Sequence, residues 1–352
     1  LIELDNLDLG ALDPSGMHER VAELPSQLKD AWQLIAGLTL PKEYLSPENV
    51  IVLGMGGSAI GGDLVRALCE QRTSVPILVC REYQVPAFVG PRSLVIASSY
   101  SGETEETLSA MDEAIARGAR CVAVGTGGRL VERAHDAGIP VVQFSYRSAP
   151  RAALGYSFMC LAGILRAAGL LQLVEAEVDE AFSTMTALQE GLRPEVPAGE
   201  NEAKQLAHAL HGRVPVVYGA GPFAEVARRW KGQFNENSKG WAFFEQMPEL
   251  NHNAVLGYTN PRAAGGLMSV VMLRSAADHP RVSIRFDITA RILHEHGVPV
   301  LSAWARGKGI LAQMFSLILL GDYVSLYLAY LYATDPSPVP EIVFLKESLA
   351  KA

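Results

Sequence analysis

Apolar positions along the chain follow different rhythms in different regions, and each rhythm predicts an element. In the first 45 residues Met17, Val21, Leu24 and Leu28 recur at helical spacing, and Ala31, Trp32, Ile35 and Leu38 continue it. This predicts a helical arm that Pro41 closes. From Asn49 the pattern changes to short apolar runs at 50–53, 77–79, 94–97, 121–124 and 141–144, with amphipathic stretches at 59–70, 104–117 and 130–136 between several of them. Strands that are apolar on both faces, separated by helical spacers, predict a parallel sheet covered on each side. A long helical stretch follows over 155–193. The strand-and-helix rhythm then restarts at 214–219, with later strands expected at 241–244, 267–273 and 298–303 and a helix at 281–295.

The two strand regions open alike. IVLGMGGSAIGGDLVRALCE (51–70) and VVYGAGPFAEVARRWKGQFNE (216–236) each read as strand, glycine-rich turn and helix, so the chain carries an internal duplication. Its 352 residues suit two cores. The expected organisation is a helical arm over 1–45, a first α/β domain with connecting helices over 46–195, a second over 196–335 and a terminal helix over 336–352.

Composition narrows the partners. The chain is 49% hydrophobic and 19% charged, with a net charge of -8 and no basic run, which argues against nucleic acid or an anionic membrane surface and for a small ligand. Cys69, Cys80, Cys121 and Cys160 have no metal-ligand spacing and read as reduced, buried thiols. No secretory leader is visible. The apolar stretch 310–331 reads as interrupted by Gly321-Asp322, so no bilayer span is expected and cytoplasmic residence follows.

Candidate chemistry begins at Gly54-Met55-Gly56-Gly57-Ser58, where a glycine turn feeding a helix presents free N–H groups to an anion. A dinucleotide site would need an acidic residue after the second strand, but the segment reads Ile77-Leu78-Val79-Cys80-Arg81. A nucleoside triphosphate loop fails too, because no Lys-Ser/Thr pair follows the glycines. The third strand ends in Ser98-Ser99-Tyr100-Ser101-Gly102-Glu103-Thr104, just before a helix that starts Glu105-Glu106. Hydroxyls at 99, 101 and 104 together with helix-start N–H groups suit a phosphomonoester; the alternative is ordinary N-capping by Ser101 or Thr104. Both loops would lie beyond the carboxyl ends of their strands, where open α/β sheets bind ligands.

GMGGSAIGGD (54–63) followed by SYSGETEET (99–107) resembles the sugar isomerase (SIS) fold, a flavodoxin-like parallel sheet between helix layers. The resemblance implies two tandem SIS domains and phosphosugar binding by Gly57, Ser58, Ser99, Ser101 and Thr104.

Further segments resemble the bifunctional phosphoglucose/phosphomannose isomerases over nearly the whole chain. They are Ala149-Pro150-Arg151 with Gly155-Tyr156, Phe234-Asn235-Glu236-Asn237-Ser238-Lys239, Met247-Pro248-Glu249-Leu250-Asn251-His252-Asn253, Asp335-Pro336-Ser337-Pro338 and Phe344-Leu345-Lys346. Asp13-Pro14-Ser15-Gly16-Met17, Leu24-Pro25-Ser26-Gln27 and Gly321-Asp322-Tyr323-Val324-Ser325 extend the match.

The implied reaction moves a carbonyl between C1 and C2 of a hexose 6-phosphate through a cis-enediol. One carboxylate can carry the proton both ways, and Glu236 is the candidate, with a surface glutamate as the alternative. Arg151 resembles the family's arginine beside the enediolate oxygen. His252, in the titration range for opening the sugar ring, alternatively reads as a loop histidine held by its neighbouring asparagines. Lys346 resembles a second ring-opening or hydroxyl-contacting group, or else a surface lysine; Ile342, Leu345 and Leu349 on the same helix are expected to face inward. His208 with His211 and His294 with His296 complete no zinc set, so no metal and no cofactor are expected. The family also implies a homodimer in which His252 is supplied across the interface. Two alternatives stand beside this reading: an isomerase of an amino sugar phosphate, whose resemblance would want an attached glutaminase, and a non-catalytic sugar-phosphate sensor, which would want a basic helix-turn-helix before residue 50.

Overall fold

The computed structural model describes residues 3–351. Strands β1 (Asn49–Leu53), β2 (Ile77–Cys80), β3 (Ser93–Ser98), β4 (Arg120–Gly125) and β5 (Val141–Gln143) form a parallel sheet in the order β2-β1-β3-β4-β5. A second parallel sheet takes β6 (Val214–Ala220), β7 (Phe243–Met247), β8 (Met268–Arg274) and β9 (Val300–Trp304) in the order β7-β6-β8-β9. The first four strands of each sheet therefore have the same order, and the duplication read from the glycine turns extends to topology.

Side-chain alternation along each strand divides the core. Val50, Val52, Leu94, Ile96, Val122 and Val124 face a central cluster, whereas Ile51, Leu53, Val95, Ala97, Cys121 and Ala123 face the opposite way. The central cluster is shared with the second sheet through Val217, Val271 and Leu273. Between the two sheets run α3 (Leu24–Leu34), the last helix of an arm that starts with α1 (Leu9–Leu12) and α2 (Met17–Ala22), then α4 (Gly56–Cys69), and after α5 (Glu105–Ala116) and α6 (Gly128–Asp136) on the far side, α7 (Leu154–Ala167), α8 (Glu175–Glu190), α9 (Glu202–Leu210) and α10 (Phe223–Glu236). Following α11 (Arg262–Leu267), α12 (Pro280–Glu295) covers the outer face of the second sheet with Phe286 and Leu293. All four cysteines are free and buried, and burial pushes the thiols of Cys69, Cys121 and Cys160 up to about 12.

The structure corrects several expectations. The helical stretch 155–193 is two helices: α7 stops where Gly169 takes φ 77° and Leu170 N donates back to Leu165 O, a glycine C-cap inside a run of apolar residues. Strand β7 starts two residues later than Trp241 and runs on to Met247, because Trp241 stands three-quarters exposed before the edge strand begins. The arm's last helix ends at Leu34, so Leu38 lies beyond it.

Gly321-Asp322 does not interrupt the apolar stretch after all. Helix α13 (Ile310–Leu331) is continuous over 22 residues with mean hydropathy 1.6, long and apolar enough to cross a membrane, yet fully buried in the middle of the protein against α8, α9 and α10. Gly321 costs helix propensity but admits a neighbour: a Cβ there would run into the indole of Trp230, whose Nε1 donates to Leu317 O at 2.8 Å.

The expectation that Ile342, Leu345 and Leu349 face inward is also overturned. Helix α14 (Pro340–Leu349) buries no residue of this chain, and Ile342, Phe344, Leu345 and Leu349 are all exposed. The helix follows a short extended segment that carries it off the core, so its apolar side chains find no partner within the chain.

Because α13 lies wholly inside, Ile318→Ala should lower the unfolding free energy by about 2–5 kcal/mol. Urea unfolding at fixed protein concentration measures this, and an unchanged midpoint would contradict a core position for α13.

Candidate active site

The phosphate-type loops form at the carboxyl edge of the first sheet. β1 ends at Leu53, and Gly56 takes a left-handed φ of 49° to open α4. Gly57 is needed for a close approach: a Cβ there would sit 2.8 Å from the backbone of Pro150, so the start of α4 lies directly against the segment that carries Arg151. Ser58, buried, accepts from Tyr100 N at 3.2 Å and so ties the first loop to the second.

In the second loop the Ser99 and Thr104 hydroxyls are 2.8 Å apart, Gly102 N donates to Ser99 Oγ at 3.1 Å, and Glu103 N donates to Ser101 Oγ at 3.2 Å. Thr104 occupies the N-cap position of α5, but its side chain makes no capping bond to the helix. The first-turn N–H groups of α5 are therefore left for another acceptor. Gly57, Ser58, Ser99, Ser101 and Thr104 thus share one edge, with hydroxyls and helix-start N–H groups and no lysine among them. In the second sheet the turn after β8 reads Ser275-Ala276-Ala277-Asp278, with a single hydroxyl, which is taken up by Gln313, and a carboxylate that accepts from Ser275 N at 3.0 Å.

Arg151 belongs to the same edge. It follows β5 in a short 3-10 turn (Pro150–Ala152) that is fastened by Gln27, whose amide donates to Ala152 O at 2.8 Å and accepts from Gly155 N at 3.2 Å. The guanidinium is 3% exposed and reaches across to the second half of the protein. Its Nε donates to Asn237 Oδ1 at 2.7 Å, Nη2 donates to the carbonyls of Pro336 and Ser337 at 2.7 and 3.0 Å, and Nη1 approaches Glu236 Oε2 at 3.3 Å. Burial lowers the Arg151 pKa from its ordinary value and the Glu236 charge opposes that shift. Of five donors, one on Nη1 has no partner among the described residues.

Glu236 ends α10 and keeps 31% of its side chain accessible, so a ligand can reach it. Lys239, in a left-handed conformation at φ 52°, donates to Glu236 O at 2.6 Å and Pro336 O at 2.9 Å, closing the loop around the pair. Desolvation first, and the Arg151 charge second, hold the Lys239 amine below its ordinary pKa.

His252 and Lys346 are not brought to this centre. His252 ends a 3-10 turn (Glu249–His252) just past the carboxyl end of β7, and its exposed ring makes no hydrogen bond among the described residues. Helix α10 starts after the carboxyl end of β6 and runs back over 14 residues, so Glu236 lies at the opposite, amino edge of that sheet, about 20 Å away along the helix. The neighbouring asparagines do not hold His252: Asn251 bonds Thr289 and Asn253 bonds Glu249. Lys346 is exposed on α14 and likewise makes no side-chain bond among the described residues. No group of three His, Cys, Asp or Glu that could hold a metal ion occurs among the described residues.

Residue-type reasoning did not single out Asn237, Gln27, Arg229 or the carbonyls of Pro336 and Ser337. Neutral amides and main-chain oxygens carry no periodic or charge signal, although Asn237 and Pro336-Ser337 lie inside segments already notable for their resemblance.

Comparison with known proteins places these features in a family. A model described as the bacterial phospho-glucose isomerase C-terminal SIS domain matches residues 199–349. The chain is 44% identical over 336 residues to a bifunctional phosphoglucose/phosphomannose isomerase of Caldicellulosiruptor bescii, covering 95% of this chain and 99% of the relative. It is 36% identical to one of Aquifex aeolicus, covering 91% of this chain and 94% of that protein. The C-terminal domain of glucosamine-fructose-6-phosphate aminotransferase from Francisella tularensis superposes with a TM-score of 0.70 at 13% identity, over 92% of this chain and 97% of that one, which speaks to the fold alone.

If the hydroxyl loop is the anion site, Ser101→Ala and Thr104→Val should each weaken inorganic phosphate binding by roughly tenfold, the worth of one hydrogen bond to a charged group. Titration calorimetry reads this directly, and unchanged affinity in both variants would move the anion elsewhere.

Proposed function

The chain belongs to the bifunctional phosphoglucose/phosphomannose isomerases, and we propose how its residues divide the work of that reaction. It is an aldose–ketose isomerase that interconverts glucose 6-phosphate and mannose 6-phosphate with fructose 6-phosphate. The observation that carries the proposed division is the meeting of Glu236 with the buried Arg151 beside the hydroxyl loops.

In this reading the 6-phosphate is held by Ser58, Ser99, Ser101, Thr104 and the N–H groups opening α4 and α5, with Gly57 keeping the two loops and Arg151 close. The open-chain aldose then extends toward Glu236. The carboxylate takes the C2 proton, the C2–H electron pair forms the C1–C2 double bond, and the carbonyl pair moves onto O1. Arg151 Nη1 donates to the developing oxyanion from a desolvated position, where a fixed positive charge is worth most. After the O2 proton passes to O1, C2 becomes the carbonyl and the proton on Glu236 is returned to C1. Mannose 6-phosphate joins the same enediol by a turn about C2–C3 that presents its C2 proton to the same carboxylate. The scheme calls for no metal, since Arg151 supplies the positive charge.

Opening the sugar ring needs a proton delivered to the ring oxygen and another removed from the C1 hydroxyl, the work assigned to His252 with Lys346. Because His252 and Glu236 of one chain lie at opposite edges of the second sheet, a homodimer that brings a second copy's His252 to the Glu236 end supplies the missing group. The apolar surface left uncovered supports a second copy: Trp241, Leu256 and Phe344 are 75%, 76% and 71% exposed.

Two measurements test this. Wild type should turn over both aldoses in EDTA, and Glu236→Gln should lose at least about 10²-fold in kcat. Separately inactive Glu236→Gln and His252→Ala chains, unfolded and refolded together, should regain about a quarter of wild-type activity through dimers with one intact site. Failure to regain any, with dimers present, would place His252 in its own chain's site or outside catalysis.

A further inference from the structure

Asp322 is the one charged residue in the 22-residue interior helix α13, and it is 4% exposed. Its Oδ2 accepts from Arg229 Nη2 at 2.9 Å, and the same nitrogen donates to the main-chain carbonyl of Arg151 at 2.7 Å. One turn further along α13, Ser325 Oγ accepts from Asn237 Nδ2 at 2.9 Å, while the other end of that amide takes Arg151 Nε at 2.7 Å. Ser325 in turn donates to Asp322 O at 2.7 Å, and its own carbonyl receives Ser238 Oγ at 2.7 Å. Arg229, Glu236 and Asn237 lie on one face of α10 at the spacing i, i+7 and i+8. Arg151 is therefore gripped twice from α13, at its main chain through Arg229 and at its guanidinium through Asn237.

Stability alone is a poor reason for this arrangement. Two charges at 3% and 4% exposure must give up their hydration, and apolar replacements of buried ion pairs are often as stable or more so. Among the described residues Arg229 Nε and Asp322 Oδ1 make no hydrogen bond within 3.5 Å, and the further polar side chain set against the aspartate is Gln233, so the pair itself is not arranged for full satisfaction. Orientation is a sufficient reason, because a displacement of about 1 Å at a reacting group can cost 10²-fold in rate.

We propose that Asp322 and Ser325 act through Arg229 and Asn237 as positioning residues that fix Arg151 against Glu236, so that the interior helix sets the geometry of the proton-transfer step. The inference rests on the roles assigned above to Arg151 and Glu236. It gives Gly321-Asp322-Tyr323-Val324-Ser325 a function: the glycine seats Trp230 of α10, and the two polar side chains align what α10 presents.

The test uses the full chain with Arg229→Lys, Asp322→Asn, Ser325→Ala and, as reference, Arg151→Lys. Rates are scaled to the folded fraction. Measured are kcat and KM for glucose 6-phosphate and the isotope effect on kcat with deuterium at C2. Arg229→Lys and Ser325→Ala should lower kcat about tenfold with KM moving less than about threefold, and the isotope effect should rise as C2 proton removal becomes limiting. The double variant Arg151→Lys with Arg229→Lys should be no slower than Arg151→Lys alone, because the two act as one unit.

Wild-type kcat and isotope effect in Arg229→Lys and Ser325→Ala, beside a slow Arg151→Lys, would overturn the positioning role and leave the Arg151 assignment standing. A fast Arg151→Lys would overturn both. Should Arg229→Lys fail to fold, Ser325→Ala decides, since it removes one hydroxyl and keeps the core volume.

Discussion

Arg151 holds a guanidinium out of solvent between the two halves of the protein, and a buried cation has to be met by acceptors on each side or the fold pays its desolvation in full. The acceptors come from widely separated parts of the chain: Asn237 and Glu236 at the end of α10, and the carbonyls of Pro336 and Ser337 after α13. Its own carbonyl is held by Arg229, and the turn around it by Gln27 of the arm, which bonds Ala152 O and Gly155 N. Hence the side chain proposed to stabilise developing charge also ties the second half to the edge that carries the hydroxyl loops. Guanidinium suits the position better than ammonium, since a planar fork can serve an amide, two carbonyls and a carboxylate in fixed directions.

That constraint explains why the centre of the molecule is helical and so apolar. The central cluster is shared by both sheets, and α13 runs through it with large side chains such as Phe315, Tyr323, Tyr327 and Tyr330 buried. Close packing makes such an interior stiff, so a polar pair anchored in it moves little. Two glycines set how closely neighbouring elements approach: Gly57 lets α4 touch the Pro150 backbone, and Gly321 lets Trp230 settle on α13. Both positions forbid a Cβ for reasons of space, although only one of them lies in the glycine-rich turn that drew attention first.

Much of this was legible from residues alone, for physical reasons that differ from place to place. The central strands stood out because they are apolar on both faces, as a sheet between helix layers requires, whereas β7, with Glu245 and Gln246 at the sheet edge, was placed less well. The glycine and hydroxyl loops were visible because unpaired N–H groups and short hydroxyls at a strand end have few other uses. The apolar segment 310–331 misled, since Gly321-Asp322 resembles a break in linear sequence, while in three dimensions the glycine fits an indole and the aspartate meets Arg229. Helix α14 misled for the opposite reason: its apolar residues implied burial, which the chain by itself does not provide. The partners of Arg151 were illegible because backbone carbonyls and an asparagine amide belong to no pattern of charge or hydropathy.

The duplication has consequences for how the chemistry is distributed. Both sheets share strand order and a glycine turn, so each carboxyl edge is by topology an equivalent place for a ligand. The first carries several hydroxyls and helix-start N–H groups; at the second the turn after β8 reads Ser275-Ala276-Ala277-Asp278, whose carboxylate disfavours a phosphate, and His252 lies beyond β7. Glu236, meanwhile, stands at the far end of α10, where the second half meets Arg151 at the carboxyl edge of the first sheet. On the proposed reading a single chain assembles the phosphate grip, the base and the oxyanion partner in one place and leaves the ring-opening histidine about one helix length away. Association of two copies is then what joins these functions, with the second sheet of one copy serving the ligand held by the other.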